Sequence, residues 1–316
     1  MMEHQEVEEI IDCLPKGEMA FYYFKDRYAL LLLELVLDRP MTKRELKHTA
    51  FSQLLEKSVI KSVLREQRGK PLTGETFKWS VFGDPQAYNL SLSTWGSKRA
   101  TWVQTTRRGY NLVLQLNFSQ AHDQYYRRLV DPEGLAPFAY DDHPVNFGKR
   151  NTLAWARLDI DLQHGEALIE EIQNDWFRYA ERARRYANGP RDRFWFRGAQ
   201  LRSDDLVEYC DTELAKHSHW DEAMLAATIW FLRAEVGISR IFYHSHASGA
   251  QIKRTGARQP PRSVYTRLPR KFCFRDSDER PAFLSGSVRT NCSKRAVKNA
   301  TFQILDYSEY RRQLSR

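Results

Sequence analysis

The sequence predicts an α+β protein with N-terminal helices, a β-rich middle and a C-terminal mixed-sheet α/β core built on a β-hairpin. Two observations support this fold class. Apolar residues follow helical spacing up to about residue 70, and the alternation that is typical of strands appears in NLVLQLNF and again within Ala154–Trp176. We therefore divide the chain into a helical region at 1–75, a β-rich segment with one helix at 76–150, and the core with a basic tail at 151–316.

The composition indicates a folded protein with acidic partners. The 316 residues include 17 Phe, 15 Tyr and 8 Trp, which is ample for a core. The net charge of +9 favours nucleic acid first and an anionic membrane second as partner, although charge of this size also serves solubility alone.

The cysteines and the N-terminus predict a cytoplasmic location. The four cysteines are isolated and have no Cys-x-x-Cys spacing, which is typical of reduced thiols. The first residues are acidic and lack an apolar signal core, and Tyr28–Leu37 is too short to span a membrane. The sequence gives no indication of the oligomeric state.

Three helices are predicted between residues 20 and 70, after a short acidic helix at Glu6–Cys13. They are Phe21–Leu37, a helix opened by the capping-box pair Thr42 and Glu45, and Phe51–Arg65. Three packed helices also fit a helix-turn-helix, although a solvated basic face explains the same residues. The cations that would contact nucleic acid there are Lys43, Arg44, Lys47, Lys57 and Lys61.

The middle of the chain predicts strands at Tyr88–Thr94, Thr101–Thr106 and Asn111–Phe118, with Ser119 as the N-cap of a following helix. After the hairpin, a charged helix is expected to end at Asn188. A helix over Asp221–Glu235, a buried strand over Ile238–Tyr243, a short helix over Ala247–Thr255 and a basic stretch over Arg258–Arg275 follow.

The stretch Ala154–Trp176 reads AWARLDIDLQHGEALIEEIQNDW and predicts a hairpin. Gln163-His164-Gly165 suits a three-residue loop, because glycine accepts the left-handed position that such loops need. This loop places Leu162 opposite Glu166, Arg157 opposite Glu171, and Trp155 opposite Gln173.

Alternation then gives the hairpin an apolar and a polar face. A slip by one residue would move acids into the core, so the register is well specified. Glu170 is the exception, since it falls on the apolar face and there needs a partner or a place at the core edge. The polar face carries Arg157, Asp159, Asp161, Glu171, Gln173 and Asp175.

LAWARLDID followed by EALIEEIQNDW resembles a group of uncharacterised bacterial and phage proteins that carry an IEEIQ(S/N)DW strand. In that group a helix, a Trp-led helix and another strand follow, and Trp220–Val236 and Ile238–His244 fit that order. The similarity covers roughly Asn151–His244. It implies homology and mobile-element association, but it transfers no catalytic residue.

The hairpin also resembles the core of restriction-endonuclease-like nucleases, which places an acid on one strand and Glu-x-Lys, or in some members Glu-x-Gln, on the next. The resemblance implies a Mg²⁺ or Mn²⁺ site with Asp159 and Glu171 as ligands, although Asp161 competes with Asp159. Gln173 would orient the attacking water, and Arg157 would hold Glu171 or contact the phosphate.

The order of hairpin, helix, strand, short helix and terminal strands resembles the acetyltransferase fold of the GCN5-related family. That family binds the pyrophosphate of coenzyme A with a Gly-rich turn directly after the motif-bearing strand. Phe177-Arg178-Tyr179 occupies this place, so the resemblance implies either an acetyltransferase or a catalytically empty version of the fold.

A third hypothesis is a non-enzymatic protein that binds nucleic acid or an acidic protein partner through its basic, aromatic stretch. The same residues could form a basic surface over an aromatic core. The two His-x-His pairs, at 217–219 and 244–246, have no cysteine cluster beside them, which favours an incidental origin over a structural zinc. The binding residues predicted by this hypothesis are Arg258, Arg262, Tyr265, Arg267, Arg270 and Lys271.

Overall fold

The computed structural model describes residues 2–13, 19–67, 69–78, 80, 82–97, 105–145, 150–253, 261–284 and 299–308. It confirms the α+β class, with helices grouped at the N-terminus and a mixed sheet at the centre. Within the described residues, no helix combines the length and the apolar character needed to cross a bilayer. Cys210 and Cys273 are buried free thiols, while the side chains of Cys13 and Cys292 lie outside the described part.

The N-terminal region alternates short helices with one strand. Its elements are α1 (His4–Cys13), β1 (Met19–Tyr23), α2 (Arg27–Val36), α3 (Lys43–Leu46), a 3-10 turn (Ser52–Glu56), α4 (Ser58–Glu66) and α5 (Gly74–Lys78). Thr42 and Glu45 form the predicted capping box, although the helix that they open has one turn only.

The middle and the core supply the remaining strands and helices. These are β2 (Gln86–Ser97), β3 (Gly109–Asn117), α6 (Gln120–Leu129), β4 (Thr152–Asp161), β5 (Glu166–Gln173), α7 (Asp175–Ala187), β6 (Arg193–Phe196), β7 (Ala199–Arg202), α8 (Ser203–Tyr209), α9 (Trp220–Trp230), β8 (Arg240–His244), α10 (His246–Lys253), α11 (Arg262–Lys271), β9 (Arg275–Ser277) and β10 (Phe302–Asp306). Single π-helical turns, Cys210–Leu214 and Phe231–Glu235, extend α8 and α9.

Eight of the described strands form one sheet in the order β1-β2-β3-β4-β5-β8-β10-β9, and β6 pairs with β7 separately. Neighbouring strands are antiparallel except β5 and β8, the one parallel pair among the described residues. The three segments recognised in the sequence therefore contribute strands to a single sheet. The hairpin β4–β5 lies at its centre.

The sheet buries apolar side chains on both faces. One face of β4 presents Ala154, Ala156, Leu158 and Ile160 to the main core, where helices α7 and α9 pack. On the opposite face a smaller cluster contains Leu168, Phe242, Phe283, Phe302 and Ile304. Polar side chains of β4 and β5 share this second face, so they are buried as well.

Two helix predictions need correction. The segment Phe21–Leu37 is not one helix, because Met19–Tyr23 pairs with β2 and a left-handed residue, Asp26, separates it from α2. Phe21 and Tyr23 are buried while Tyr22 is exposed, and aromatic residues that alternate in this way suit a strand. The predicted helix Phe51–Arg65 is broken at Lys57, whose backbone is extended.

The hairpin register is confirmed at one end and corrected at the other. Trp155 pairs with Gln173, and Arg157 pairs with Glu171, as predicted. The turn has four residues, Leu162 to Gly165, so Asp161 rather than Leu162 faces Glu166. A β-bulge at Glu170 absorbs the extra residue and restores the predicted register beyond it.

Two further predictions for helix ends are confirmed, whereas most of one predicted strand lies outside the described residues. Ser119 caps α6 by accepting a hydrogen bond from the His122 amide, and the charged helix ends at Ala187. Of the predicted strand Thr101–Thr106, residues 101–104 lie outside the described part and Thr106 lies in a bend.

The face assignment predicts unequal effects for two leucines of the hairpin. Replacing Leu158 by alanine should lower the free energy of unfolding by about 2–5 kcal/mol, because it opens a cavity in the main core. The matched change Leu162→Ala should cost under about 0.5 kcal/mol, since Leu162 is 59% exposed in the turn. Urea denaturation of both variants measures this difference, and similar losses would contradict the face assignment.

Candidate functional site

The polar face of the hairpin carries a buried ion pair between Arg157 and Glu171. The guanidinium also lies 5.6 Å from the centre of the Trp95 ring and 5.8 Å from that of Trp155. Cross-strand pairing brings the two charges together, and the tryptophan rings exclude water around them. Removing one partner of such a pair would leave an uncompensated buried charge, so the pair acts as a unit.

Asp159 lies on the same face and binds a different arginine. The Arg107 Nε and Nη2 atoms donate to its two carboxylate oxygens at 2.6 and 2.7 Å, and Nη2 also donates to the Ile160 carbonyl at 3.2 Å. The Phe283 ring covers the guanidinium at 4.3 Å. Both predicted metal ligands, Asp159 and Glu171, thus have a guanidinium as partner, and a metal ion would have to displace it. The metal-site hypothesis stays a prediction.

The environment of Asp159 changes its acidity. Burial raises the pKa of this carboxyl from 3.8 to about 6, and the opposing attraction of Arg107 does not cancel the effect. As the pH falls, the carboxyl of Asp159 therefore takes up a proton at a higher pH in the folded protein than in the unfolded chain.

The bulge gives Glu170 a role that the sequence register did not predict. Its side chain is turned away from the apolar face. It accepts hydrogen bonds at 2.8 Å from both the Thr106 amide and the Thr106 hydroxyl. His244 Nε2 lies 3.2 Å from the same carboxylate and 2.9 Å from the Thr106 hydroxyl. The prediction of an apolar-face Glu170 was wrong, but the expected partners exist. All three residues are buried.

Gln173 ends the polar face and is also engaged. Its Nε2 atom donates to Asp175 Oδ1 at 2.8 Å and lies 3.1 Å from His143 Nδ1. Asp175 also contacts His143 at 2.6 Å and pairs with Arg178. Burial alone would raise the pKa of Asp175, but the bonds to its partners outweigh this and lower it. The residue predicted to orient water thus belongs to a hydrogen-bonded cluster at the start of α7.

The predicted binding residues divide into surface and core. Arg262, Arg267 and Arg270 are exposed on α11, and Lys271 is half-buried with its ammonium 2.6 Å from Glu222. Tyr265 needs correction as a surface residue, because it is 3% exposed and stacks on Tyr243 with ring centres 5.5 Å apart. Arg258 lies outside the described residues.

The sequence did not predict Thr106, Arg107, His143 and His244 as partners of the polar side chains of the hairpin. Arg107 is 52 residues from Asp159 and His244 is 74 residues from Glu170, so no local pattern could pair them. The one available signal was the unpartnered acid that the predicted register placed on the core face. A buried carboxylate requires a donor from elsewhere in the chain.

Comparison with known proteins does not add an assignment: neither the known family models, nor the curated proteins, nor the solved structures give a match to this chain.

The raised pKa of Asp159 predicts a pH-dependent contribution to stability. Because its folded pKa exceeds the unfolded one, the contribution is present below about pH 4 and is lost as the pH rises through about 6. The difference in unfolding free energy between wild type and Asp159→Asn should therefore shift by about 2 kcal/mol towards wild type between pH 7 and pH 4. Urea denaturation over this range measures it, and a difference that does not vary with pH would contradict the assignment.

Proposed function

We propose that this protein binds nucleic acid through a cationic surface formed by α11 and the first helices of the chain. The observation that carries the proposal is a cavity of about 350 Å³ where α11 meets the 3-10 turn. Four cationic side chains line it together with the Gln53 amide, namely Lys57, Arg267, Arg270 and Lys271. Three of these four belong to the stretch whose basic character predicted binding.

Helix α11 is built to hold cations at the surface. Its inner face is anchored by Val264, Leu268 and Pro269, so its arginines are fixed on the outer face. Two of the four cations already have acidic partners, since Lys271 contacts Glu222 and Lys57 contacts Asp26 at 3.0 Å. No carboxylate of the described residues forms an ion pair with Arg267 or Arg270. These two guanidinium groups are therefore available to phosphates.

A second cationic cavity lies among the first helices of the chain. It has a volume of about 640 Å³ and lies between α3, α4 and the chain that follows α4. Lys57 precedes α4 and Lys61 lies four residues further on, a spacing that puts side chains about 5–6 Å apart on one side of a helix. The two cavities share no lining residue, but Lys57 of the first and Lys61 of the second lie four residues apart in the chain, and Lys61 also contacts Glu56 at 2.7 Å. The cations of the second cavity are Lys43, Lys61, Arg65 and Lys70.

The chemistry of this surface favours backbone recognition. Lysine and arginine neutralise phosphates and release counterions, which is sequence-independent. Tyr265 is not expected to stack on nucleic-acid bases, because its ring is buried. Cleavage is not part of the proposal, since the carboxylates that would bind the metal, Asp159 and Glu171, are held by arginines.

The proposal predicts a loss of affinity when two arginines of α11 are removed together. Arg267→Ala with Arg270→Ala should weaken binding of a labelled 30-nucleotide strand or duplex about tenfold or more at low salt. It should also reduce the slope of log affinity against log salt by about two, one for each lost phosphate contact. Fluorescence anisotropy across a salt series measures both quantities.

The matched control removes two exposed arginines of α7, Arg182 and Arg185, with the same change in net charge. This variant should keep the wild-type affinity and salt slope. Equal losses in the two double variants would assign binding to net charge alone, and absence of binding by wild type at low salt would remove the proposal.

A second candidate is an acetyltransferase-like protein, which the sheet order favours. The hairpin β4–β5, α7, β8, α10 and the terminal strands follow one another as in that fold, although β6, β7 and three further helices are inserted. The parallel pairing of β5 with β8 ends at Ile169 and Tyr243, just before the bulge.

The charge at the start of α7 opposes an active enzyme of this kind. A pyrophosphate bound after β5 would meet the Asp175 carboxylate, while the Asn174 side chain already caps the Phe177 amide. We therefore expect acetyl-coenzyme A to leave the melting temperature unchanged, as for a catalytically empty version of the fold. A saturable rise of the melting temperature in a thermal-shift titration would instead favour the enzyme.

A further inference from the structure

Two histidines and a glutamate converge in the aromatic core that covers β3. His122 belongs to α6, and Glu213 and His217 lie four residues apart on the helix that continues α8. One ligand atom from each residue lies within 4.8 Å of the other two. All three side chains are buried, with exposures of 5%, 6% and 5%. Of the two His-x-His pairs in the sequence, only the pair at 217–219 contributes to this group, through His217.

Each imidazole has a hydrogen-bond partner at its Nδ1 atom, which orients the ring. Asp123 Oδ1 lies 3.2 Å from His122 Nδ1, and the Tyr88 hydroxyl lies 2.8 Å from His217 Nδ1. Each ring therefore directs its Nε2 atom towards the centre of the group. A carboxylate or hydroxyl that fixes the outer ring nitrogen is the usual partner of a metal-binding histidine, because it sets the ring orientation and the tautomer.

One pair of inward atoms has the spacing of metal ligands, and all three ligand atoms lie within 4.8 Å of one another. His217 Nε2 and Glu213 Oε2 are 3.5 Å apart. Donors around a tetrahedral zinc ion, with bonds of about 2.0–2.1 Å, lie about 3.4 Å from one another. Lys216 binds the other Glu213 oxygen at 2.7 Å, so Oε2 remains directed at the centre. The Tyr209 hydroxyl lies 3.0 Å from His122 Nε2.

The surroundings exclude water and hold the ligands rigidly. The Phe118 ring stacks on His122 with centres 3.5 Å apart and meets His217 edge-on at 5.0 Å. Trp176 donates its indole N–H to the Tyr209 hydroxyl at 2.8 Å. In this apolar setting a carboxylate and two imidazoles retain their attraction for a cation, because no solvent competes for them.

We propose that His122, Glu213 and His217 bind a zinc ion that ties α6 to the helix following α8. Two imidazoles and one carboxylate suit zinc, whereas calcium and magnesium take oxygen ligands. The ion stabilises the fold, since it joins two segments about 90 residues apart in sequence across the same core. The site shares no residue with the ion pairs of the hairpin or with the cationic surface of α11.

The competing explanation is a hydrogen-bonded network that contains a proton where the metal would be. Without metal, Tyr209 donates to His122 and His217 donates to Glu213, so every ring nitrogen still has a partner. The two explanations differ in metal content and in the response to chelation.

Elemental analysis of the full chain, purified after removal of any affinity tag, tests the proposal. We expect about one zinc per chain. A strong chelator should lower the melting temperature, and zinc, but not magnesium, should restore it. Less than about a tenth of a zinc per chain, with no change in melting temperature on adding zinc, would overturn the proposal in favour of the proton network.

Variants locate the ion. Glu213→Gln and His122→Gln keep side-chain size and should each reduce zinc affinity about tenfold or more, whereas His219→Gln, at the half-buried other member of the His-x-His pair, should not. Zinc retained equally in all three variants would contradict the assigned ligands. Should one ligand variant fail to fold, the other variant and the wild-type metal content still decide.

Discussion

The β-bulge at Glu170 is the constraint on which the centre of this structure depends. The four-residue turn pairs Asp161 with Glu166, which leaves one extra residue on β5. The bulge takes up this residue, so that Arg157 still pairs with Glu171. Without the bulge, Glu171 and Gln173, which follow it on β5, would point into the main core, at a cost that hydrophobic packing could not offset. The bulge also coincides with the end of pairing between β5 and β8, so it sets how far the parallel part of the sheet extends.

The bulge places two consecutive glutamates in a layer of buried charge. Glu170 binds Thr106 and His244, while Glu171 binds Arg157. Arg107 and Asp159 add a second ion pair to this layer. Burying several charges beneath a sheet is expensive, and each is tolerated because a partner of opposite charge or a hydrogen-bond donor meets it. Such a layer fixes one arrangement of strands and loops, since a slipped register would leave charges unpaired.

The helices place the remaining chemistry on other parts of the molecule. On the main core side, α6 and the helix after α8 bring imidazoles and a carboxylate into an aromatic pocket. At the surface, α11 uses an apolar inner face to present arginines beside Lys57. Charge is thus distributed by depth. The buried acids of the hairpin are paired with arginines or hydrogen-bond donors, whereas Arg267 and Arg270 at the surface have no acidic partner among the described residues.

The sequence by itself determined the α+β class, the capped starts of α3 and α6, and the facing pairs Arg157–Glu171 and Trp155–Gln173. These features rest on periodicity and on contacts between near neighbours, which a sequence displays directly. The tertiary structure alone decided the bulge, the strand at Met19–Tyr23, the partners of Asp159 and Glu170, and the meeting of His122 with Glu213 and His217. Each of these depends on segments brought together by folding, because charge pairing and ligand geometry act through space and leave no local pattern in the chain.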